Sequence, residues 1–304
     1  MSDNKLKYAV IGDPVAHSLS PQLHNPAFKA LGINAEYIMV HVRENELAAF
    51  AERARNEFAG FNITVPHKNA IIPFLDSISG ECGLTGSVNT VKNTNGHLHG
   101  ESTDGYGLET AINEEFGIPI KGNSFLFVGT GGTVKAVSFH FAAKGAECLL
   151  FANRTVSKSE TLVDELRRSC PGTKYSCCLL GDGKQLGEFA SNASVVIQCT
   201  SLGLKEEDPS PLPEQFFRPG KCCYDTIYKD TAFIRTARKK GCRTAGGLSM
   251  LLHQGAKSFS IWTEKAAPVE VMRKSLYDEF ARRCAANASP GSPAIQQSSN
   301  PFQL

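Results

Sequence analysis

Apolar residues along this chain gather in short runs separated by stretches with helical spacing. Tyr8-Ala9-Val10-Ile11 reads as a first strand and runs into Gly12-Asp13-Pro14. Ser20-Pro21 reads as a helix start, with serine as cap and proline at the first helical position. Ser20 is equally a candidate binding hydroxyl, and Ser18 beside it has no structural role of its own. That helix runs to about residue 31. Tyr37-Ile38-Met39-Val40 is a second strand, and residues 47–58 have helical composition. The β-branched run around Ile63, Thr64 and Val65 is a strand whose exit Pro66 turns into a helix. Lys68 then falls in a first helical turn, where a cation opposes the helix dipole. Residues 86–91 read as a strand, tied by the Asn95-Gly96 turn to a partner around His97-Leu98-His99. Asp104 stands at a helix start, where its commonest use is as a cap.

Phe125-Leu126-Phe127-Val128 is continuously apolar, as a buried parallel strand should be. Gly129-Thr130-Gly131-Gly132-Thr133 follows at once. A helical pattern then opens with Val134, Val137 and Phe141 on one face, and Leu149-Leu150-Phe151-Ala152 closes the unit. Strand, glycine turn, helix, strand is the context of a dinucleotide site. Glycines let the backbone approach a pyrophosphate, and the free N–H groups of the helix start face its oxygens. Val134 holds the place of the third glycine in G-x-G-x-x-G. Where an NAD site usually places an acid, about 20 residues past the loop, this chain has Asn153-Arg154-Thr155, with Lys158 beyond. A guanidinium suits a 2′-phosphate, so the pattern predicts NADP. Further strands at residues 194–199 and 221–225 alternate with helices at 158–168 and 231–240. This predicts a parallel sheet with right-handed crossovers. A further helix runs from about Gly247 to Trp262.

Composition narrows the function class. The chain has 304 residues, 41% hydrophobic and 20% charged, with net charge +2. That is a globular composition, too weakly basic to argue for nucleic acid or an anionic membrane. No apolar run approaches a membrane span, and the first residues lack the apolar core of a signal peptide. Ten cysteines without C-x-x-C spacing fit reduced thiols in a cytoplasmic protein and no metal site. His97 and His99 read as structural or solvated.

Taken together the segments resemble shikimate dehydrogenase over about residues 8–277. The motifs that carry the resemblance are Gly12-Asp13-Pro14-Val15-Ala16-His17-Ser18-Leu19-Ser20-Pro21, Asn62-Ile63-Thr64-Val65-Pro66-His67-Lys68, Gly86-Ser87-Val88-Asn89-Thr90 and Ser102-Thr103-Asp104-Gly105. The glycine turn, Asn153-Arg154-Thr155, Asp225-Thr226-Ile227-Tyr228 and residues 247–254 continue it in the same order. The resemblance implies an α/β fold of two lobes with a cleft between them. An N-terminal α/β substrate lobe (residues 1–104, completed by helices at 248–284) faces a Rossmann-type NADP lobe (105–247). The tail, 285–304, is rich in Ser, Pro, Ala, Asn and Gln and is expected to be disordered.

The resemblance further implies NADPH-dependent reduction of 3-dehydroshikimate to shikimate. Lys68 matches the family's catalytic lysine and Asp104 its acidic partner. Ser18, Ser20, Asn62, Thr64, Asn89, Tyr228 and Gln254 match substrate positions. Gly129, Thr130, Gly131, Gly132, Thr133, Asn153, Arg154, Thr155, Lys158, Thr200 and Gly247 match the cofactor side. The chemistry suits those types: a ketone reduced by hydride becomes an alkoxide, which an ammonium can stabilise and protonate. A ligand bearing a carboxylate and hydroxyls suits a lining of Ser, Thr, Asn and Gln.

Three departures stand out. Ser102 replaces a usual Asn, which weakens an expected brace of the Asp104 loop. Gln198-Cys199 replaces a usual Asn-Ala, which is expected to shift the backbone beside the nicotinamide. Lys135 and Lys158 replace Arg, which softens the preference for NADP. The partners expected are a small-molecule substrate, no nucleic acid and no membrane, for a monomer or homodimer. Two alternatives remain open: a quinate-accepting relative with relaxed cofactor use, and a non-catalytic NADPH-binding sensor. A folate-type dehydrogenase is disfavoured by the complete serine, lysine and aspartate set.

Overall fold

The computed structural model describes residues 5–287. Its first half builds one six-stranded sheet from β1 (Leu6–Gly12), β2 (Ala35–His41), β3 (Gly60–Ile63), β4 (Ser77–Ile78), β5 (Thr90–Thr94) and β6 (His97–Glu101). The order across the sheet is β2-β1-β3-β5-β6-β4. β1 is parallel to both β2 and β3, whereas β5 runs antiparallel to β3 and β6. The chain therefore leaves β1 to one side and returns to the other, which opens a crevice at the C-terminal ends of β1 and β3. The helices of this half are α1 (Ser20–Ala30), α2 (Leu47–Glu57), α3 (His67–Ala70) and α4 (Gly80–Thr85).

α5 (Asp104–Phe116) carries the chain into a second sheet, of β7 (Ser124–Val128), β8 (Cys148–Asn153), β9 (Lys174–Leu179), β10 (Val195–Gln198), β11 (Cys222–Asp225) and β12 (Arg243–Gly246). All its pairs are parallel, in the order β12-β11-β10-β7-β8-β9. This is the doubly wound order of dinucleotide-binding folds, with its switch point between β7 and β10. The connecting helices are α6 (Gly132–Ala143), α7 (Val156–Ser169), α8 (Gly183–Asn192) and α9 (Ala232–Lys239). Phe125, Leu126, Phe127 and Val128 are all fully buried, because helices cover both faces of the sheet. On α7 only Ser159, Leu162, Val163 and Leu166 are buried, one face of an amphipathic helix.

α10 (Leu248–Thr263) and α11 (Val269–Asn287) return to the first sheet. α10 joins the two cores: Met250 packs with the second sheet, while Leu252, Ala256, Phe259 and Trp262 pack with β1 and α1. Its crossing with α5 depends on Gly107, where a Cβ would sit 2.7 Å from the Gln254 Cβ. Trp262 donates its indole N–H to the Val91 carbonyl at 2.9 Å, pinning α10 across β5. No helix among the described residues is long and apolar enough to cross a membrane.

Several expectations are corrected. Ser20 is not a cap: it is the first helical residue of α1, the cap position is Leu19, and no side chain caps it. Ser18, expected to be structurally idle, accepts the Ser20 backbone N–H at 3.2 Å. Asp104 likewise lies inside α5 rather than capping it. Residues 86–89 are not strand, because Gly86 in the left-handed conformation ends the short α4 and β5 begins at Thr90. The expected tail boundary at 285 falls inside α11, which runs to Asn287; the rest of that segment lies outside the described residues.

Candidate functional site

The C-terminal ends of β1 and β3 in the first sheet and of β10 and β11 in the second border a cavity of about 440 Å³. All nine residues predicted for catalysis and substrate line it: Ser18, Ser20, Asn62, Thr64, Lys68, Asn89, Asp104, Tyr228 and Gln254. A more open groove between α1 and α11, lined by Gln22, Lys274 and Asp278 among others, contains none of them.

The loop after β1 supplies Ser18, whose hydroxyl lies 3.1 Å from that of Ser20. The exit of β3 supplies Thr64 and Lys68. His67 fixes α3 from below, with Nε2 2.6 Å from the Val42 carbonyl oxygen. Lys68 Nζ donates to Asp104 Oδ2 at 2.5 Å, with 18% of the lysine side chain and 7% of the aspartate exposed. The other carboxylate oxygen accepts from Asn89 Nδ2 at 2.8 Å. Asp104 is thus held from two sides, while the ammonium keeps two further hydrogens for a ligand.

Two of the amides are committed elsewhere. Asn62 Oδ1 accepts from the Tyr37 hydroxyl at 2.7 Å. Its Nδ2 donates to the Asn89 carbonyl, Thr90 and Ser258 at 3.0–3.1 Å. Asn89 Oδ1 accepts from the Thr103 backbone N–H at 2.8 Å. These side chains reach the cavity wall, but their polar atoms brace β3, β5 and the start of α5 to α10. Thr64 and Tyr228 have no side-chain hydrogen bond among the described residues, which leaves both hydroxyls available. Burial raises the Tyr228 phenol above its ordinary value, and nearby Arg283 opposes this.

The cofactor set lies at the other switch point. Gly129 takes φ +102°, a conformation that favours glycine, and a Cβ there would meet Thr200 at 2.9 Å. Gly131 and Gly132 are exposed at the free N–H groups of α6; a Cβ on Gly131 would stand in open space, and one on Gly132 would meet only Asn69 Oδ1, at 4.0 Å. Thr133 reaches the cavity from the first turn of α6. Asn153 Nδ2 donates to Thr130 at 2.6 Å and to the Thr155 carbonyl at 3.2 Å, which fixes the loop from β8. Arg154 and Lys158 are exposed, and neither has a side-chain partner among the described residues. Lys135, by contrast, is engaged with Glu165 at 2.7 Å. An anion cradle with two unengaged cations beyond it fits a dinucleotide that carries an extra phosphate. Gly247 lines the cavity itself, and a Cβ on it would lie 2.1 Å from the Thr226 carbonyl oxygen.

The departures have physical outcomes. Ser102 Oγ is buried with no hydrogen-bond partner among the described residues, so it braces nothing there, and Thr103 with Asn89 does that work. Gln198 is fully buried and folds onto its own loop. It donates to the Leu202 carbonyl at 2.8 Å and accepts from the Thr200 N–H. The longer side chain thereby ties Thr200 and Leu202 to the end of β10.

Sequence reasoning missed Cys199, Thr226 and Met250 in the cavity wall, and Ser258 behind it. Ser258 follows Gln254 by one helical turn on α10, a spacing that would have found it.

A doubly wound sheet with a glycine turn at its switch point faces an ammonium–carboxylate pair across a polar cavity. That combination defines a dinucleotide-dependent oxidoreductase for a small polyol or keto acid. Family models narrow the class: "Shikimate dehydrogenase substrate binding domain" matches residues 10–91, "Shikimate / quinate 5-dehydrogenase" residues 111–204, and "Shikimate 5'-dehydrogenase C-terminal domain" residues 247–277. Shikimate dehydrogenase (NADP(+)) of Moorella thermoacetica is 40% identical over 94% of this chain and 95% of its own. The chain belongs to the shikimate dehydrogenase family. Shikimate 5-dehydrogenase of Listeria monocytogenes, solved with shikimate and NAD, superposes with a TM-score of 0.85 at 32% identity, covering 91% of this chain and 98% of that one. The Thermus thermophilus enzyme, solved with NADP(H) and shikimate, gives 0.79 at 34% identity over 90% and 99%.

Proposed function

We propose that this protein reduces 3-dehydroshikimate to shikimate, reversibly, with NADPH, as a step of aromatic amino acid biosynthesis. The observation that carries the reading is the Lys68–Asp104 pair at 2.5 Å in the wall of a polar cavity that also reaches the start of α6. When bound, NADPH supplies the hydride. Lys68 stabilises the alkoxide that forms at the reduced carbon and gives it a proton, a contribution of ~10²–10⁴ in rate. Asp104 orients the ammonium and accepts from a ring hydroxyl. Ser18, Ser20, Thr64, Tyr228 and Gln254 bind the carboxylate and hydroxyls, while Asn62 and Asn89 act chiefly by holding Thr64 and Asp104 in place. Gly129–Gly132 with Thr133 cradle the pyrophosphate, and Asn153, Arg154, Thr155 and Lys158 receive the adenosine ribose and its phosphate. Thr200 and Gly247 border the nicotinamide.

In this reading residues 1–104 with 248–284 hold substrate and 105–247 hold cofactor. The enzyme works in the cytoplasm, as a monomer or homodimer; ten free thiols suit that reducing compartment.

The test is loss of NADPH absorbance on addition of 3-dehydroshikimate, with NADH and quinate in parallel cuvettes. Rapid loss with NADPH alone supports the reading. Tight NADPH binding without turnover on either ring acid would replace it with the sensor reading.

A further inference from the structure

Asp225 ends β11 and is fully buried, yet no cation pairs with it among the described residues. A buried, unpaired carboxylate is costly, so its retention needs a reason. Both of its oxygens are used. Oδ1 accepts the Ile227 backbone N–H at 2.9 Å, and Oδ2 accepts the Thr231 hydroxyl at 2.6 Å. One carboxylate therefore ties together the two ends of the loop at residues 226–231. Thr231 in turn accepts the Ile234 N–H at 3.2 Å and caps α9, which anchors the far end of the loop. The near end is fixed by Thr226, whose N–H and hydroxyl both donate to the Gln198 carbonyl at 3.0 Å. Between these anchors Tyr228 enters the cavity, its ring edge-on to Phe280 at 6.2 Å.

We infer that Asp225 is a positioning residue: by clamping Ile227 and Thr231 it sets the turn that presents the Tyr228 hydroxyl to substrate. It touches neither substrate nor cofactor. This rests on the cavity being the shikimate site.

The test is a double-mutant cycle on the full chain, reading kcat and KM for shikimate oxidation, with NADPH affinity from fluorescence. Tyr228→Phe removes one ligand hydrogen bond and raises KM about tenfold. Asp225→Ala raises KM by about as much, while NADPH affinity stays within ~threefold. In the Tyr228→Phe background Asp225→Ala adds less than ~twofold, because the group it positions is already gone. Asp225→Asn keeps the acceptor for Ile227 and can donate to Thr231, so its KM stays within ~threefold of wild type. The isosteric Thr231→Val breaks only the Oδ2 side and the cap; it shifts KM in the same direction and is likewise absorbed by Tyr228→Phe. That variant serves where Asp225→Ala does not fold. Multiplying KM effects in the double mutants, or an unchanged KM in both Asp225→Ala and Thr231→Val, overturns the inference while leaving the proposed function standing. A wild-type protein without turnover overturns the proposed function, and this inference with it.

Discussion

Among the described residues Lys68 carries the only ammonium that lines the cavity, and replacing it with alanine removes that group. In the intact protein Nζ spends one hydrogen on Asp104 at 2.5 Å and has two left for the reacting oxygen. Their loss leaves the forming alkoxide without a positioned donor, at ~10²–10⁴ in rate or about 3–5 kcal/mol of barrier. The donor matters most as charge develops, so kcat should fall far more than KM rises. Folding stability responds separately. Breaking a largely buried ion pair by removing one partner costs up to ~3–5 kcal/mol, but Asn89 still donates to Asp104 Oδ1 at 2.8 Å, so the loss should lie below that range. The assay pairs single-turnover and steady-state rates on 3-dehydroshikimate with NADPH titration and a thermal melt. The expected result is a folded protein with NADPH affinity near wild type and kcat lower by at least ~10². A folded Lys68→Ala protein with kcat within ~tenfold of wild type would remove Lys68 from the proton-transfer step.

Arg154→Ala should weaken NADPH binding by ~10–150-fold, the worth of a charge-assisted contact, and NADH binding hardly at all. Equal losses for the two cofactors would show that Arg154 does not read the 2′-phosphate. Gly247→Ala places a Cβ 2.1 Å from the Thr226 carbonyl oxygen, where backbone must move. It should cost ~1–3 kcal/mol in a urea melt and raise both KM values, and an unchanged melt would contradict the packing. His24 is fully buried with its ring stacked 4.4 Å from Tyr37, and burial holds its pKa down at about 3. The unfolded chain takes up a proton below its ordinary value of ~6.5 that the native state refuses, so stability falls as pH falls through that window. The loss is about 1.4 kcal/mol per pH unit, or about 2 kcal/mol between pH ~6.5 and ~5. His24→Phe should flatten this part of the profile in urea midpoints taken across that range, and a parallel slope in the variant would exclude His24 as the cause.

Local signals carried much of the fold. Residues 125–128 are apolar without a break because both faces of their sheet are covered, and the glycine turn after them fixes where a phosphate can approach. Weakly patterned pieces stayed invisible: the two-residue β4 and the short α4 exist through their neighbours rather than their own spacing. The caps failed for a related reason. Serine and aspartate beside a helix start favour capping in general, but Ser20 and Asp104 sit one place inside their helices, where the side chain faces the cleft and not the helix end.

The alternation of strands and helices, the glycine cradle, the missing acid after β8 and the residue types available for chemistry are all legible along the chain. These depend on neighbours a few positions apart, and periodicity reports them. Which polar atoms are left for a ligand is settled by folding alone. Lys68 and Asp104 are 36 positions apart and meet at 2.5 Å. Asn62 is consumed by Tyr37, Asn89, Thr90 and Ser258, the last 196 positions away. The chain gives no local sign that Asp225 is buried and, among the described residues, has no cation beside it. Hydrogen-bonding capacity is a property of residue type, but its use depends on what folding brings within about 3 Å.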